Sequence, residues 1–305
     1  MSAGPTSSVD VICSVYNPRP DFQKTVQSVL NQSYRGLRLV IIDDGSTIPA
    51  ARRLLEDVAE LDLRITVIYR DTNVGLTRNL YEQVQCSSAD YIARIDAGDY
   101  WSPEKLSRQI DLLKNRPGVI IVGTQCVYVD ESKKEVGRSW FAEQHKEIMN
   151  AIANRRGVFE HSSIMFRRNL NYRPEFKMSQ DLDLYLRASS AGDLHCLNEL
   201  LTYCQINRSG LTIQKRYLQR KYQELAYKSH YSVTNLGKEL DLKVKDSAIE
   251  RRLWSLAQPF YIGYVTARTE KRSPAIWLSL LLLTILIFPP LAKDYSKKIS
   301  KIRFF

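Results

Sequence analysis

An α/β fold with a mainly parallel sheet and helices on both faces is predicted by three features of this sequence. Short apolar runs alternate with stretches of helical periodicity through the first third of the 305 residues, the pattern of successive βαβ units. The runs VDVICSV at 9–15 and LRLVII at 37–42 are apolar almost throughout, as strands buried on both faces are. Each run also empties into a polar turn. Those turns gather Asn17, Asp43, Asp44, Asn73, Asp96 and Asp99 at one edge of the sheet, the edge where folds of this class bind ligands.

Taken in order, the strand at 9–15 ends at the turn Tyr16-Asn17-Pro18, and a helix follows over 21–32 with Phe22, Val26, Val29 and Leu30 at helical spacing. The strand at 37–42 ends in Asp43-Asp44-Gly45-Ser46. A helix over 50–60 and a strand over 64–69 (RITVIY) come next. Asn73-Val74-Gly75 is a turn, and a helix runs from Leu76 to about Gln85. The apolar run Tyr91, Ile92, Ala93, Ile95 then drops into an acidic turn holding Asp96 and Asp99. The chain restarts as a helix at Pro103, a good first helical residue, with Ser102 as its cap.

The spacing predicts strands at 119–122 and 125–129, a polar turn at 130–134, a helix over 145–153 and a strand over 162–166. The segment 178–191 starts as a helix that Ser179 can cap. Asp181 and Asp183 lie in its first turn, where the helix dipole favours anions. Short strands are expected at 192–196 and 200–206. From Gln214 the chain turns to long helical segments rich in Lys, Arg and Tyr, so two domains are expected, 1–211 and 212–305.

Composition narrows the class. An apolar content of 44% supports a sizeable core. The five cysteines are odd in number, scattered and never in C-x-x-C spacing, which suggests neither a disulfide framework nor a zinc site and fits a reducing compartment. The first ten residues, MSAGPTSSVD, lack the basic and apolar regions of a secretory signal. A net charge of +11 points to nucleic acid, anionic lipid or a phosphorylated substrate. No nucleic-acid recognition motif or aromatic–basic platform accompanies it, so nucleic acid is set aside.

Two carboxylates fixed at the end of a buried strand suit a divalent cation held against a diphosphate, because Mg²⁺ and Mn²⁺ take hard oxygen ligands and share them with substrate phosphates. An isolated D-x-x-D is usually only an acidic turn before a helix; its companions change that. VICSVYN at 11–17, IDDGST at 42–47, NVGLT at 73–77, ARIDAGDYWSPEKL at 93–106 and SQDLDLYLRA at 179–188 together resemble the motifs of glycosyltransferase family 2. The resemblance covers about two-thirds of the chain. It implies the GT-A fold, a Rossmann-like sheet with helices on both faces, and transfer of a sugar from a nucleotide diphosphate.

By that resemblance, Ser14, Tyr16 and Asp43 match positions that contact the nucleoside. A carboxylate can accept the N3–H of uracil or thymine, and a ring can cover the base. Asp44 belongs to the same loop. Arg78 either faces the diphosphate or is a solvated helix charge. Asp96 and Asp99 are the candidate ligands for Mn²⁺ or Mg²⁺. The family's acidic turn usually reads D-A-D-D, and its third residue, commonly the metal ligand, is Gly98 here. Asp99 taking over the metal and a weak or dispensable metal are both compatible with that change. Asp181 matches the catalytic base, which makes the reaction a single in-line displacement with inversion. Its neighbour is Gln180 where the family has Glu, removing one like charge. His161 resembles a position on the acceptor side, or is structural.

The expected function is therefore inverting transfer from a UDP- or dTDP-sugar to a lipid-linked or polysaccharide acceptor, in O-antigen, capsule or exopolysaccharide synthesis. The alternative is a catalytically weak protein of the same fold that recruits assembly partners. The uncharged run AIWLSLLLLTILIF at 275–288 is shorter than the roughly 20 residues needed to span a bilayer. It extends to 292 and is followed by a basic tail with Lys293, Lys297, Lys298, Lys301 and Arg303. With Leu253, Trp254, Phe260, Tyr261 and Tyr264 as an aromatic interfacial stretch beside Arg251 and Arg252, this region is expected to hold the protein on membrane lipids at the cytoplasmic face of a bacterial inner membrane.

Overall fold

Four parallel strands make the first half of the sheet, in the order β3 (Ile65–Tyr69), β2 (Leu37–Asp43), β1 (Val9–Val15), β4 (Tyr91–Arg94). The computed structural model describes residues 7–206, 215–236, 244, 247–269 and 273–291. Within that first half the chain leaves β1 towards β2 on one side and returns from β3 to β4 on the other. This places a topological switch point between β1 and β4, where a crevice opens at the strands' carboxyl ends. The register lines those ends up, with Val15 opposite Asp43 and Asp43 opposite Tyr69.

Alternation along the strands builds the two faces. Val11, Cys13 and Val15 of β1, with Leu39 and Ile41 of β2, pack against α1 (Phe22–Leu30), α2 (Pro49–Ala59) and α4 (Lys105–Asn115). Ile12, Ile42 and Ile92 point the other way, into a core shared with α3 (Leu76–Cys86) and α5 (His145–Ala153). Phe22, Val26, Val29 and Leu30 form the buried stripe of α1, as their spacing requires. Each such side chain contributes about 1.5–3 kcal/mol by leaving water.

Beyond β4 the sheet is mixed. β8 (Met165–Arg167) runs antiparallel to β4, β6 (Val119–Val129) antiparallel to β8, and β9 (Asp193–Gln205) parallel to β6. Two short strands, β5 (Tyr100–Trp101) on β9 and β7 (Glu135–Arg138) on β6, were not expected from the sequence. β6 and β9 are each continuous, where the sequence suggested pairs of short strands. The polar residues that read as breaks are absorbed by side-chain hydrogen bonds. Thr124 and Thr202 share one between their hydroxyls at 2.8 Å, and Gln125 receives the Ser139 hydroxyl and the Phe141 N–H at 2.8 Å each. The register slips at these positions instead of ending.

Three local expectations also change. The helix expected from Pro103 begins at Lys105, because the Ser102 carbonyl is taken by the Lys105 N–H and the Gln32 amide. The strand expected over 162–166 starts as a tight helical turn, His161–Ser163, and becomes extended at Met165. Ser179 precedes α6 (Gln180–Ala188) but does not cap it through its side chain. Its hydroxyl donates to the Gln219 carbonyl at 3.1 Å, and its backbone is left-handed, φ 55°.

Among the described residues three α-helices follow: α7 (Arg216–Leu236), α8 (Ala248–Thr269) and α9 (Pro274–Ile287). α7 lies on α6, with Tyr222, Leu225 and Ala226 in the second core. Its Tyr217 belongs instead to a third cluster with Trp254, Tyr261, Tyr264, Leu281 and Phe288. Trp254 meets Phe288 and Tyr264 meets Trp277, so α8 and α9 run antiparallel. Of the aromatic residues expected at a membrane interface, Trp254, Tyr261 and Tyr264 are thus buried between helices, while Phe260 is only partly buried. The large hydrophobic residues that α8 and α9 leave exposed are aliphatic: Ile249, Leu256, Ile276, Leu282, Leu283 and Leu286. Among the described residues no helix is long and apolar enough to cross a membrane. The expected domain boundary at Leu211 and the basic tail from Lys293 lie outside the described residues.

Candidate active site

The loop after β1 is built first. Asn17 takes a left-handed backbone, φ 49°, and its side-chain oxygen accepts the N–H groups of Thr47 and Ile48 at 2.9 and 3.0 Å. Its own N–H donates to the Ser46 hydroxyl at 2.8 Å. The turns after β1 and β2 are therefore one braced unit. Ser14 sits at the end of β1 and accepts a bond from the Asn79 amide at 3.0 Å. Tyr16 is half exposed, at 50%, which leaves its ring free for a flat partner.

Asp43 and Asp44 are adjacent in sequence but differently engaged. Asp44 accepts from the Val74 and Gly75 N–H groups at 2.8 and 3.0 Å, one with each carboxylate oxygen. Both of its oxygens are committed to shaping the 73–75 turn, which ties that turn to β2. In Asp43 only Oδ1 is engaged, by the Ser46 N–H at 2.9 Å, and the buried Oδ2 has no hydrogen-bond partner. A buried carboxylate oxygen without a donor is costly, and a base N–H would satisfy it. Gly45 permits the loop: φ is +74°, and a Cβ there would lie 2.7 Å from the Thr72 backbone carbon.

Arg78 projects from α3 with 54% of its side chain exposed and pairs with Glu82 one turn on. That is the solvated-charge arrangement, worth a few tenths of a kcal/mol.

On the far side of the switch point, Arg94 ends β4 and is fully buried. Its guanidinium pairs with Asp96, while Nε and Nη1 have no hydrogen-bond partner. Asp96 is otherwise half exposed, and its N–H donates to the Ser162 hydroxyl at 2.9 Å. Asp99 is buried and accepts the Gln205 N–H at 2.8 Å. Burial first, then the charge of Asp96, push its pKa up to about 8. Asp96 and Asp99 are the only carboxylates within this turn. No group of three or more His, Cys, Asp or Glu side chains among the described residues is arranged to hold a metal. Two hard carboxylates still fit Mg²⁺ or Mn²⁺ in the form those ions prefer, with waters and substrate phosphates completing the shell.

Asp181 opens α6 from the opposite wall. Its Oδ1 accepts the Leu182 N–H at 2.8 Å. The carboxyl keeps some contact with solvent but is closely surrounded by protein, and that burial raises its pKa. The Leu182 N–H lowers it, as does the positive charge of Arg94 to a smaller degree, and the charge of Asp96 raises it. The structure thus brings Asp181 and the acidic turn into one electrostatic environment around Arg94.

His161 is buried, with Nε2 2.8 Å from the Tyr172 hydroxyl, and burial holds its pKa well below the usual value. It is a neutral packing histidine. Asp183 is structural: its carboxylate, 2% exposed, accepts from Arg173 and Arg187.

Sequence reasoning missed Arg94, Glu160, Tyr185 and Gln205. Tyr185 had a signal, lying one helical turn after Asp181; its hydroxyl is buried without a partner. Glu160 accepts the Tyr128 hydroxyl at 2.7 Å, and its pKa is raised by burial. An arginine inside the apolar run YIARI was the signal for Arg94.

Comparison with known proteins bears on the family and the fold. The family described as Glycosyl transferase family 2 matches residues 10–173. The chain is 30% identical over 200 residues to the putative glycosyltransferase EpsE of Bacillus subtilis, covering 63% of this chain and 69% of that protein. It is 33% identical over 108 residues to the putative teichuronic acid biosynthesis glycosyltransferase TuaG of the same organism, covering 35% of this chain and 42% of TuaG. S. aureus TarS in complex with UDP-GlcNAc superposes with a TM-score of 0.57 over 95% of this chain and 92% of that one, at 14% identity. That last likeness shows the fold, which is GT-A.

Proposed function

This chain belongs to glycosyl transferase family 2, and from that premise we propose that it moves one sugar, with inversion, from a UDP- or dTDP-sugar to a hydroxyl of a lipid-linked or polysaccharide acceptor. The setting is assembly of a bacterial surface polysaccharide, as the names of TuaG and of the amylovoran biosynthesis glycosyltransferase AmsE of Erwinia amylovora suggest for those relatives. One observation carries the reading: the carboxyl ends of β2 and β4 hold Asp43, with a buried oxygen that no donor meets, and Asp96 and Asp99 on one turn beside the buried Arg94, whose charge also reaches Asp181 at a helix start.

In this reading Asp43 receives the base N3–H on its free oxygen, and Tyr16 covers the base. Asp181 takes the proton of the acceptor hydroxyl as that oxygen attacks the anomeric carbon, and the bond to the nucleotide diphosphate breaks on the opposite side. A divalent ion held by Asp99, Asp96 and the diphosphate would offset the leaving group's charge. Arg94 sits behind Asp96 and Asp181 as a fixed positive charge.

A screen of nucleotide sugars for donor hydrolysis and for protection against heating tests the assignment. Protection by UDP or dTDP derivatives over purine ones is the expected result, and indifference to every nucleotide would remove the reading. Chelator is expected to stop transfer, with Mn²⁺ or Mg²⁺ restoring it and Asp99→Ala matching the chelated parent. Undiminished transfer in excess EDTA would overturn the metal assignment.

We also place the chain on the cytoplasmic face of the inner membrane. The exposed aliphatic residues of α8 and α9 and the net charge of +11 support this. The full chain is expected to sediment with anionic vesicles. Joint replacement of Leu282, Leu283 and Leu286 by Ser should release it without lowering the melting temperature, because all three are exposed. Equal sedimentation of parent and variant would sink the membrane reading.

A further inference from the structure

Gly98 occupies the third position of the acidic turn, where the family pattern D-A-D-D carries a carboxylate. Its backbone has φ +99°, and a Cβ added there would lie 2.5 Å from Oε1 of Gln205. The contact comes from the sheet. β5 pairs antiparallel with β9, Tyr100 opposite Tyr203, so the end of β9 folds back over the acidic turn. The rings of Tyr100 and Tyr203 stack at 4.6 Å, which fixes the approach. At that point the Gln205 N–H is bonded to Asp99 Oδ1, and the Gln205 side-chain Nε2 is buried with no hydrogen-bond partner.

We propose that the Gln205 carboxamide replaces the carboxylate missing at position 98, its Oε1 standing where a side chain at 98 would project, so that a neutral amide takes the place of a charge beside Asp99. This rests on the reading of the acidic turn as the diphosphate end of a donor site. An aspartate there could only accept hydrogen bonds and would repel the diphosphate unless a cation lay between them. A neutral amide oxygen carries no full charge, so it neither repels the diphosphate as a carboxylate would nor holds a divalent ion as tightly. The site is therefore expected to hold a free divalent ion more weakly than a turn with a carboxylate at position 98.

The test measures Mn²⁺ binding alone to the full chain, by the electron paramagnetic resonance of the free ion at mildly alkaline pH. Gln205→Glu returns a carboxylate in nearly the same volume and is expected to bind Mn²⁺ at least tenfold more tightly than the parent. Gln205→Ala is expected to bind no tighter than the parent. A second route returns the charge to its family position. Gly98→Asp alone clashes with Gln205 and is expected to lower the melting temperature. Gly98→Asp combined with Gln205→Gly is expected to recover part of that loss and to bind Mn²⁺ at least tenfold more tightly than the parent. Mn²⁺ affinity within twofold of the parent in both Gln205→Glu and the double variant, each still melting cooperatively, overturns the inference. Protection of the parent by UDP or dTDP is followed in parallel. Protection with unchanged Mn²⁺ affinities rejects this inference alone, and absence of protection rejects the donor site with it.

Discussion

Asp181→Asn is expected to abolish sugar transfer while leaving nucleotide binding and thermal stability near those of the parent. The proton of the acceptor hydroxyl has to leave as the oxygen attacks, and an amide cannot take it. Loss of a general base costs about 10²–10⁴-fold in rate. Nucleotide binding should persist because Asp43 and the loops after β1 and β2 sit on the other side of the crevice. Stability should persist because Asp181 is held by backbone N–H groups, that of Leu182 at 2.8 Å, which an Asn oxygen can also accept. The same burial sets the pH dependence. It raises the pKa of Asp181, and the base works only when ionised, so activity should fall with decreasing pH through that raised value. The acidic limb then lies above that of an exposed aspartate. Transfer by the Asn variant within twofold of the parent, or an acidic limb below the ordinary aspartate range, would refute the assignment.

Two residues further along the same helix the opposite result is expected. Asp183→Ala should leave whatever protein still folds chemically competent but cost about 3 kcal/mol of stability. Its carboxylate is 2% exposed and accepts from Arg173 and Arg187, whose side chains are 25% and 30% exposed. Removing one partner of a buried pair costs about 3–5 kcal/mol because the other charges are left uncompensated. The partial exposure of both arginines places this case at the low end. At about 2–4 °C per kcal/mol the melting temperature should drop by about 6–12 °C. Arg173 also donates to the Ser229 hydroxyl on α7 at 3.0 Å, so α7 should loosen first. A loss below about 1 kcal/mol would show that the arginines find other partners.

The contrast between these two acids marks what the sequence could and could not carry. Strands β1, β2 and β4 were legible because a strand buried on both faces must be apolar nearly throughout. Helices α1, α3 and α5 were legible from one buried stripe each. The long strands β6 and β9 were not, since Thr124, Gln125 and Thr202 are polar, and only their partners across the sheet show that they are satisfied. The candidate site was legible where a loop motif carries it, at Asp43, Asp96, Asp99 and Asp181. It was opaque where distant segments meet. Gln205 and Asp99 are 106 residues apart, and no local pattern announces that one covers the other. Asp44 was placed in the right loop, but its commitment to the 73–75 turn depends on backbone N–H groups 30 and 31 positions away. The aromatic residues of α8 have the composition of an interfacial helix, and only the presence of α9 turns Trp254, Tyr261 and Tyr264 inward.

α7 gives Tyr222, Leu225 and Ala226 to the catalytic layer's core and Tyr217 to the cluster between α8 and α9. A helix shared in this way makes the two cores thermodynamic partners. Any coupling between the crevice and the α8–α9 pair would have to pass through α7, and as a binding free energy it would be equal in both directions.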